Sequence, residues 1–101
     1  MSGYVLSTAA ELDLDDIWEY IAKDNIDAAD DWISRLFDAF DMLGRNLEIG
    51  HARPDLTTYP VHFWPVGAYL IIYRAERNPV EIVGVTEGSR DIPTFLRRRR
   101  I

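Results

Sequence analysis

The sequence predicts an α+β domain, in which an N-terminal strand and an α-helical hairpin pack on a small antiparallel β-sheet. Three features carry that expectation. Apolar residues recur at helical spacing between residues 8 and 47, the period changes to β-branched and aromatic runs after Gly50, and a turn signal splits two of those runs. A chain of 101 residues has material for one core, burying roughly 65% of its unfolded surface, and for no second lobe. One domain over residues 1–101 is expected, with 97–101 as a basic tail.

Tyr4, Val5 and Leu6 make a short apolar run that ends at Ser7 and Thr8. Thr8 and Glu11 have the spacing of a capping box, which satisfies the orphan amides of a helix start. Leu14, Ile17, Trp18 and Ile21 then form an apolar stripe, with Asp13, Asp15, Asp16 and Glu19 mostly outside it. Those acids spread around the helix rather than converge, so they read as solvating residues and not as a cation site. Asp24 and Asn25 interrupt the pattern. A second stripe follows at Ala29, Trp32, Ile33, Leu36, Phe40, Leu43 and Leu47, and Asp31 and Arg35 are spaced to pair on its exposed side. Two helices joined this tightly form an antiparallel hairpin.

Beyond Gly50, VHFW, AYLIIYRAE and VEIVGVT suit strands. Glu76-Arg77-Asn78-Pro79 is a turn signal, so residues 68–75 and 80–86 form a β-hairpin. Pro60 and Pro65 bracket VHFW, which places it at a sheet edge or keeps it short. Ile92, Pro93, Phe95 and Leu96 can dock the chain end on the sheet, leaving the run Arg97 to Arg100 projecting.

Composition removes several function classes. There is no cysteine, hence no disulfide and no thiolate chemistry. The two histidines, His51 and His62, lack metal-ligand spacing, no glycine-rich phosphate loop or nucleophile elbow occurs, and no cofactor or metal is expected. No apolar run approaches a membrane span and the first residues do not resemble a secretory signal, so a cytoplasmic protein is expected. Charge is polarised. Residues 1–50 hold 12 acids and 3 bases (−9), and residues 51–101 hold 5 acids and 8 bases (+3), which together give −6. Such asymmetry suits a partner that prefers one side.

Three segments carry a resemblance. STAAELDLDDIWEYI at 7–21, GHARPDL at 50–56 and LIIYRAERNPVEIVGVTEGSRDIPTFL at 70–96 are similar, in order and spacing, to the ParE branch of the RelE/ParE toxin superfamily. The resemblance implies a bacterial toxin neutralised by a small DNA-binding, ParD-like antitoxin. The superfamily has two activities. Ribosome-dependent mRNA endoribonucleases of the RelE type need cationic and acid–base side chains on the sheet, whereas the ParE branch poisons DNA gyrase without catalysing a reaction. Leu70 and Glu87 fall at two positions where the ribonucleases carry such groups. A leucine supplies no cation, and a carboxylate repels phosphate. The resemblance therefore implies a non-catalytic gyrase poison; a ribonuclease and an inactive relic that only binds its antitoxin are the alternatives. The net charge departs from the branch, whose members are often basic.

Arg53, Arg74, Arg90, Phe95, Arg97, Arg98, Arg99 and Arg100 are the expected target-binding residues. Trp18, Trp64, Tyr69 and Tyr73 are the expected antitoxin-binding residues, with the groove placed beside Trp64 and Tyr69.

Overall fold

A computed structural model of the chain describes residues 3–46 and 48–99. The elements run β1 (Tyr4–Leu6), α1 (Thr8–Ala22), α2 (Ile26–Arg45), β2 (His62–Val66), β3 (Tyr69–Arg74), β4 (Val80–Glu87) and α3 (Ile92–Arg99). The expected strand, helical hairpin and three strands are therefore all present. Each helix of the hairpin is capped by a side chain. Ala10 N–H donates to Ser7 Oγ at 3.0 Å, so the N-cap is Ser7, one residue ahead of the Thr8 capping box read from sequence. Asn25 Oδ1 accepts from Ala28 N–H at 2.9 Å, which converts the break between the stripes into the start of α2. Leu47 of the second stripe lies outside the described residues, and α2 ends at Arg45. Arg35 does not reach back to Asp31; its guanidinium lies 4.1 Å over the Trp32 ring.

The four strands form one sheet in the order β1-β4-β3-β2. β2 and β3 pair antiparallel with Trp64 opposite Ile71, and β3 and β4 pair antiparallel with Ile71 opposite Val85. β1 instead joins β4 in parallel, with Tyr4 opposite Val80 and Leu6 opposite Ile82. The sheet is thus mixed, because the hairpin α1–α2 returns the chain over one face before β2 begins. Pro65 sits inside β2 opposite Leu70, which the sheet tolerates because β2 is an edge strand. Between Ile72 and Tyr73 the register steps past Val83, so Ile72 faces Gly84 while Tyr73 faces Ile82.

Both faces of this sheet are covered. On one, Leu14, Ile17, Leu36, Phe40 and Leu43 of the hairpin pack against Ile71, Tyr73, Ile82 and Val85. On the other, Ile92, Phe95 and Leu96 pack with Val61, Phe63, Ile72 and Val83. The C-terminal segment is therefore a docked helix through Arg99, where the sequence suggested a projecting tail from Arg97; Arg100 and Ile101 lie outside the described residues. Gly3 and Gly44 meet backbone to backbone, and a Cβ on Gly44 would stand 2.7 Å from Gly3 C. Only glycine permits that approach of α2 to the start of β1.

Tyr73 is fully buried in the first core layer, and its hydroxyl accepts from Gly50 N–H at 2.9 Å. This anchors the loop after α2 to the centre of the sheet. Tyr73→Phe leaves a buried N–H without that acceptor and is expected to lower stability by about 1–3 kcal/mol in urea denaturation. Burial also raises the Tyr73 phenol above its ordinary value of 10.0. The stability linked to it is complete below the unfolded phenol's range and is lost as pH climbs through the folded value. Tyr4 and Tyr69 shift the same way, mainly by burial. The variant should therefore show a shallower loss of stability above about pH 10 rather than none.

Candidate functional site

Three surface features could engage partners. The first is a groove of about 400 Å³ along the hairpin, lined by Leu6, Glu11, Leu14, Asp15, Trp18, Ile33 and Phe37. Leu14 at its floor is buried, and Leu6, Trp18, Ile33 and Phe37 are half-buried at the margin of the core between β1 and the two helices. Trp18 Nε1–H donates to Asp30 Oδ1 at 2.8 Å, which fixes the indole across the seam between α1 and α2.

No described cleft joins Trp64 to Tyr69; the edge of Tyr69 instead lines a cleft of about 300 Å³ with Ile17, Tyr20 and Glu87. Tyr69 is buried and lies edge-on to Trp32, with ring centroids 5.2 Å apart. Trp64 packs half-buried on the same core cluster. Tyr73 is a core residue and cannot touch a partner directly. The reason is shared: all three point to the sheet face that the hairpin covers. Of the four aromatic residues expected to meet an antitoxin, Trp18 alone lines the hairpin groove.

The second feature is a clasp on the open edge of β4. β1 ends at Leu6, and the last backbone bond across that edge is Ser7 N–H to Ile82 O at 3.0 Å. Beyond it, Asp13 Oδ2 accepts from Val85 N–H at 2.9 Å and Arg99 Nη1 donates to Val83 O at 3.3 Å. The two side chains also bond to each other, Arg99 Nη2 to Asp13 Oδ1. An ion pair from α1 and α3 thus continues the edge where the strand stops. Asp13 departs from the expectation that the α1 acids are all solvated: its side chain is 11% exposed.

The third feature is the outer surface of α3. Arg90, Asp91, Thr94, Phe95, Arg98 and Arg99 line a cleft of about 430 Å³. The Arg90 and Arg99 guanidinium carbons lie 5.5 and 4.4 Å from the centre of the same buried Phe95 ring. Asp91 accepts from Thr94 N–H at 3.2 Å and from Thr94 Oγ1 at 2.9 Å. These bonds to the first turn of α3 hold its carboxyl below the ordinary carboxylate range. Arg97 Nη2 donates to Thr94 Oγ1 at 3.2 Å.

The eight residues expected to meet a target therefore separate. Arg90, Phe95, Arg98 and Arg99 converge on one cleft, with Arg97 beside them. Arg53 is bound to its neighbour Asp55 through bonds of 2.9 and 2.7 Å, which raise the guanidinium and lower the carboxyl. Arg74 is taken by Glu76 at 3.5 Å and Glu81 at 3.4 Å. Arg100 lies outside the described residues. Of the two positions compared with the ribonucleases, Leu70 packs half-buried on the second core cluster and Glu87 stands exposed at the end of β4. Among the described residues no cluster of His, Asp and Glu could hold a metal ion, and no helix is long and apolar enough to cross a membrane.

The fold of a strand, a helical hairpin and a three-stranded meander is similar to that of a solved chain described as "Chromosomal ParDE TA system from P. aeruginosa". The two superpose with a TM-score of 0.71 at 17% identity, over 86% of this chain and 96% of that one. In sequence, residues 4–92 match the family described as "ParE toxin of type II toxin-antitoxin system, parDE". The chain belongs to the ParE toxin family. No curated protein matches it in sequence.

Proposed function

We propose that this chain is a non-catalytic, cytoplasmic poison of DNA gyrase, held inactive by direct binding of a ParD-like antitoxin. Family membership over residues 4–92 is the observation that carries this reading. The similar solved chain comes from a ParDE system, which favours an antitoxin as the partner. The hairpin groove is the best place for it. Leu6, Leu14, Trp18, Ile33 and Phe37 offer an apolar floor, and Glu11 and Asp15 an acidic rim. An amphipathic antitoxin segment with basic flanks fits both. The non-catalytic part rests on chemistry: Leu70 brings no charge to the sheet, and Glu87 would repel a phosphate.

The test is purified chain added to gyrase and supercoiled DNA. Inhibited supercoiling with accumulation of cleaved DNA is expected, and antitoxin should reverse both. Cleavage of ribosome-bound mRNA by the unmodified chain would overturn the reading in favour of a ribonuclease. Glu87→His alone is expected to give no mRNA cleavage, because position 70 still lacks a cation to meet the developing phosphorane charge.

A further inference from the structure

We propose that the cleft on the outer surface of α3 binds a phosphate group, with Arg90 and Arg98 as the residues that contact it. This goes beyond the gyrase reading and does not depend on it. The first observation is what the cations around α3 are doing. Arg99 is committed to Asp13 and Val83 O, and Arg97 leans on Thr94. Arg90 and Arg98 are exposed, line the same cleft and have no ion-pair partner among the described residues. The nearest acid of the cleft, Asp91, spends its oxygens on the amide and hydroxyl of Thr94. Two guanidinium forks are thus left facing one opening, and planar forks of this kind match phosphate oxygens.

The second observation is the charge of the whole molecule. The hairpin, with its acids, covers one face of the sheet, while α3 lies on the other and carries arginines and no acid between Ile92 and Arg99. A polyanion is repelled from the hairpin and admitted at α3 alone, so the polarity that looks unfavourable in the net charge becomes an orienting field. The Phe95 ring fixes the geometry. It is buried beneath the Arg90 and Arg99 guanidinium groups, so the cleft offers charge and forks but no open face on which a base could stack. That favours the phosphate over the base as the recognised part. The phosphate can come from a nucleic-acid backbone or from a free nucleotide, and the two sources are separable.

Binding of a fluorescein-labelled DNA duplex to the full chain is measured by anisotropy in low salt, then repeated as salt rises. Two phosphate contacts predict a log–log salt slope of about −2. Arg90→Ala/Arg98→Ala should weaken binding at least about tenfold, and Arg90→Lys/Arg98→Lys should recover only part of it, because an ammonium keeps the charge but not the bidentate fork. Arg98→Ala alone, an exposed change, guards against misfolding of the double variant, and a thermal melt of each protein confirms the fold. ATP that displaces the duplex supports a shared phosphate cleft, and ATP that binds where the duplex does not identifies a free nucleotide as the source. Binding of neither probe, or a double variant that binds like the unmodified chain, overturns the proposal. In either case gyrase inhibition remains separately measurable by supercoiling, so the two readings fail independently.

Discussion

Arg99→Ala is expected to lower the stability of the chain by about 2–3 kcal/mol, which for a domain of this size is a fall of roughly 10–20 °C in melting temperature. The effect comes less from the lost attraction than from what remains. Asp13 and Arg99 are 11% and 20% exposed at the side chain, so removing the guanidinium strands a largely buried carboxylate. It also leaves Val83 O without its donor at the open edge of β4. Asp13→Ala should cost a similar amount, since it frees Val85 N–H and leaves Arg99 unpaired. The double variant should lose clearly less than the sum of the two, because neither residual charge is then buried. Urea denaturation of the four proteins measures this. An Arg99→Ala protein within about 0.5 kcal/mol of the parent would show the pair to be a surface contact of no consequence. Truncation after Leu96, which a floppy tail would tolerate, should on the same grounds destabilise the fold by at least as much.

Trp18→Ala is expected to weaken the antitoxin complex by about 2–4 kcal/mol, or roughly 30- to 1000-fold, if the hairpin groove is the docking site. The indole contributes the broadest apolar surface of the groove, and its hydrogen bond to Asp30 holds it in place before a partner arrives. A rigid aromatic anchor on a preformed groove is where binding energy concentrates. Reversing the rim charge with Glu11→Lys/Asp15→Lys should act differently. It should slow association and flatten its salt dependence, with less change in dissociation. Titration calorimetry and stopped-flow kinetics with the antitoxin separate the two effects, and thermal melts of the lone variants exclude unfolding. A complex indifferent to both changes would move the site off the hairpin, to the outer edge of β2.

The helices were readable from sequence because each stripe repeats at a period that only a helix places on one face. The cap was displaced by one residue because Ser7 and Thr8 are both good capping residues and adjacent. The strands were also readable, but their faces were not. With α3 on the far side, β3 is buried on both faces, so alternation vanishes and nothing in YLIIY tells which aromatic side chain looks outward. That is why Tyr69 and Tyr73, expected at a partner surface, lie in the core cluster under the hairpin. Asp13 was hidden for another reason. Its partner is 86 residues away, and among four acids on one helix no local pattern distinguishes the one that is buried. The basic cleft was half visible: the arginine run marks it, but only the docking of α3 turns Arg99 inward and leaves Arg98 facing out.

The parallel pairing of β1 with β4 has a consequence for how the toxin is made. Residues 4 to 6 are synthesised well before their sheet partners, residues 80 to 82. β4 lies between β1 and β3 in the finished sheet, and the clasp to Asp13 comes from Arg99. Contacts of such separation in sequence form late and slowly. A growing chain therefore carries its hairpin, with the apolar side still uncovered, until β4 has been synthesised. Products that stop short of β4 have no interior strand on which to assemble and are open to proteases and chaperones. The finished sheet is thereby confined to chains translated through β4, and the clasp to chains translated through Arg99.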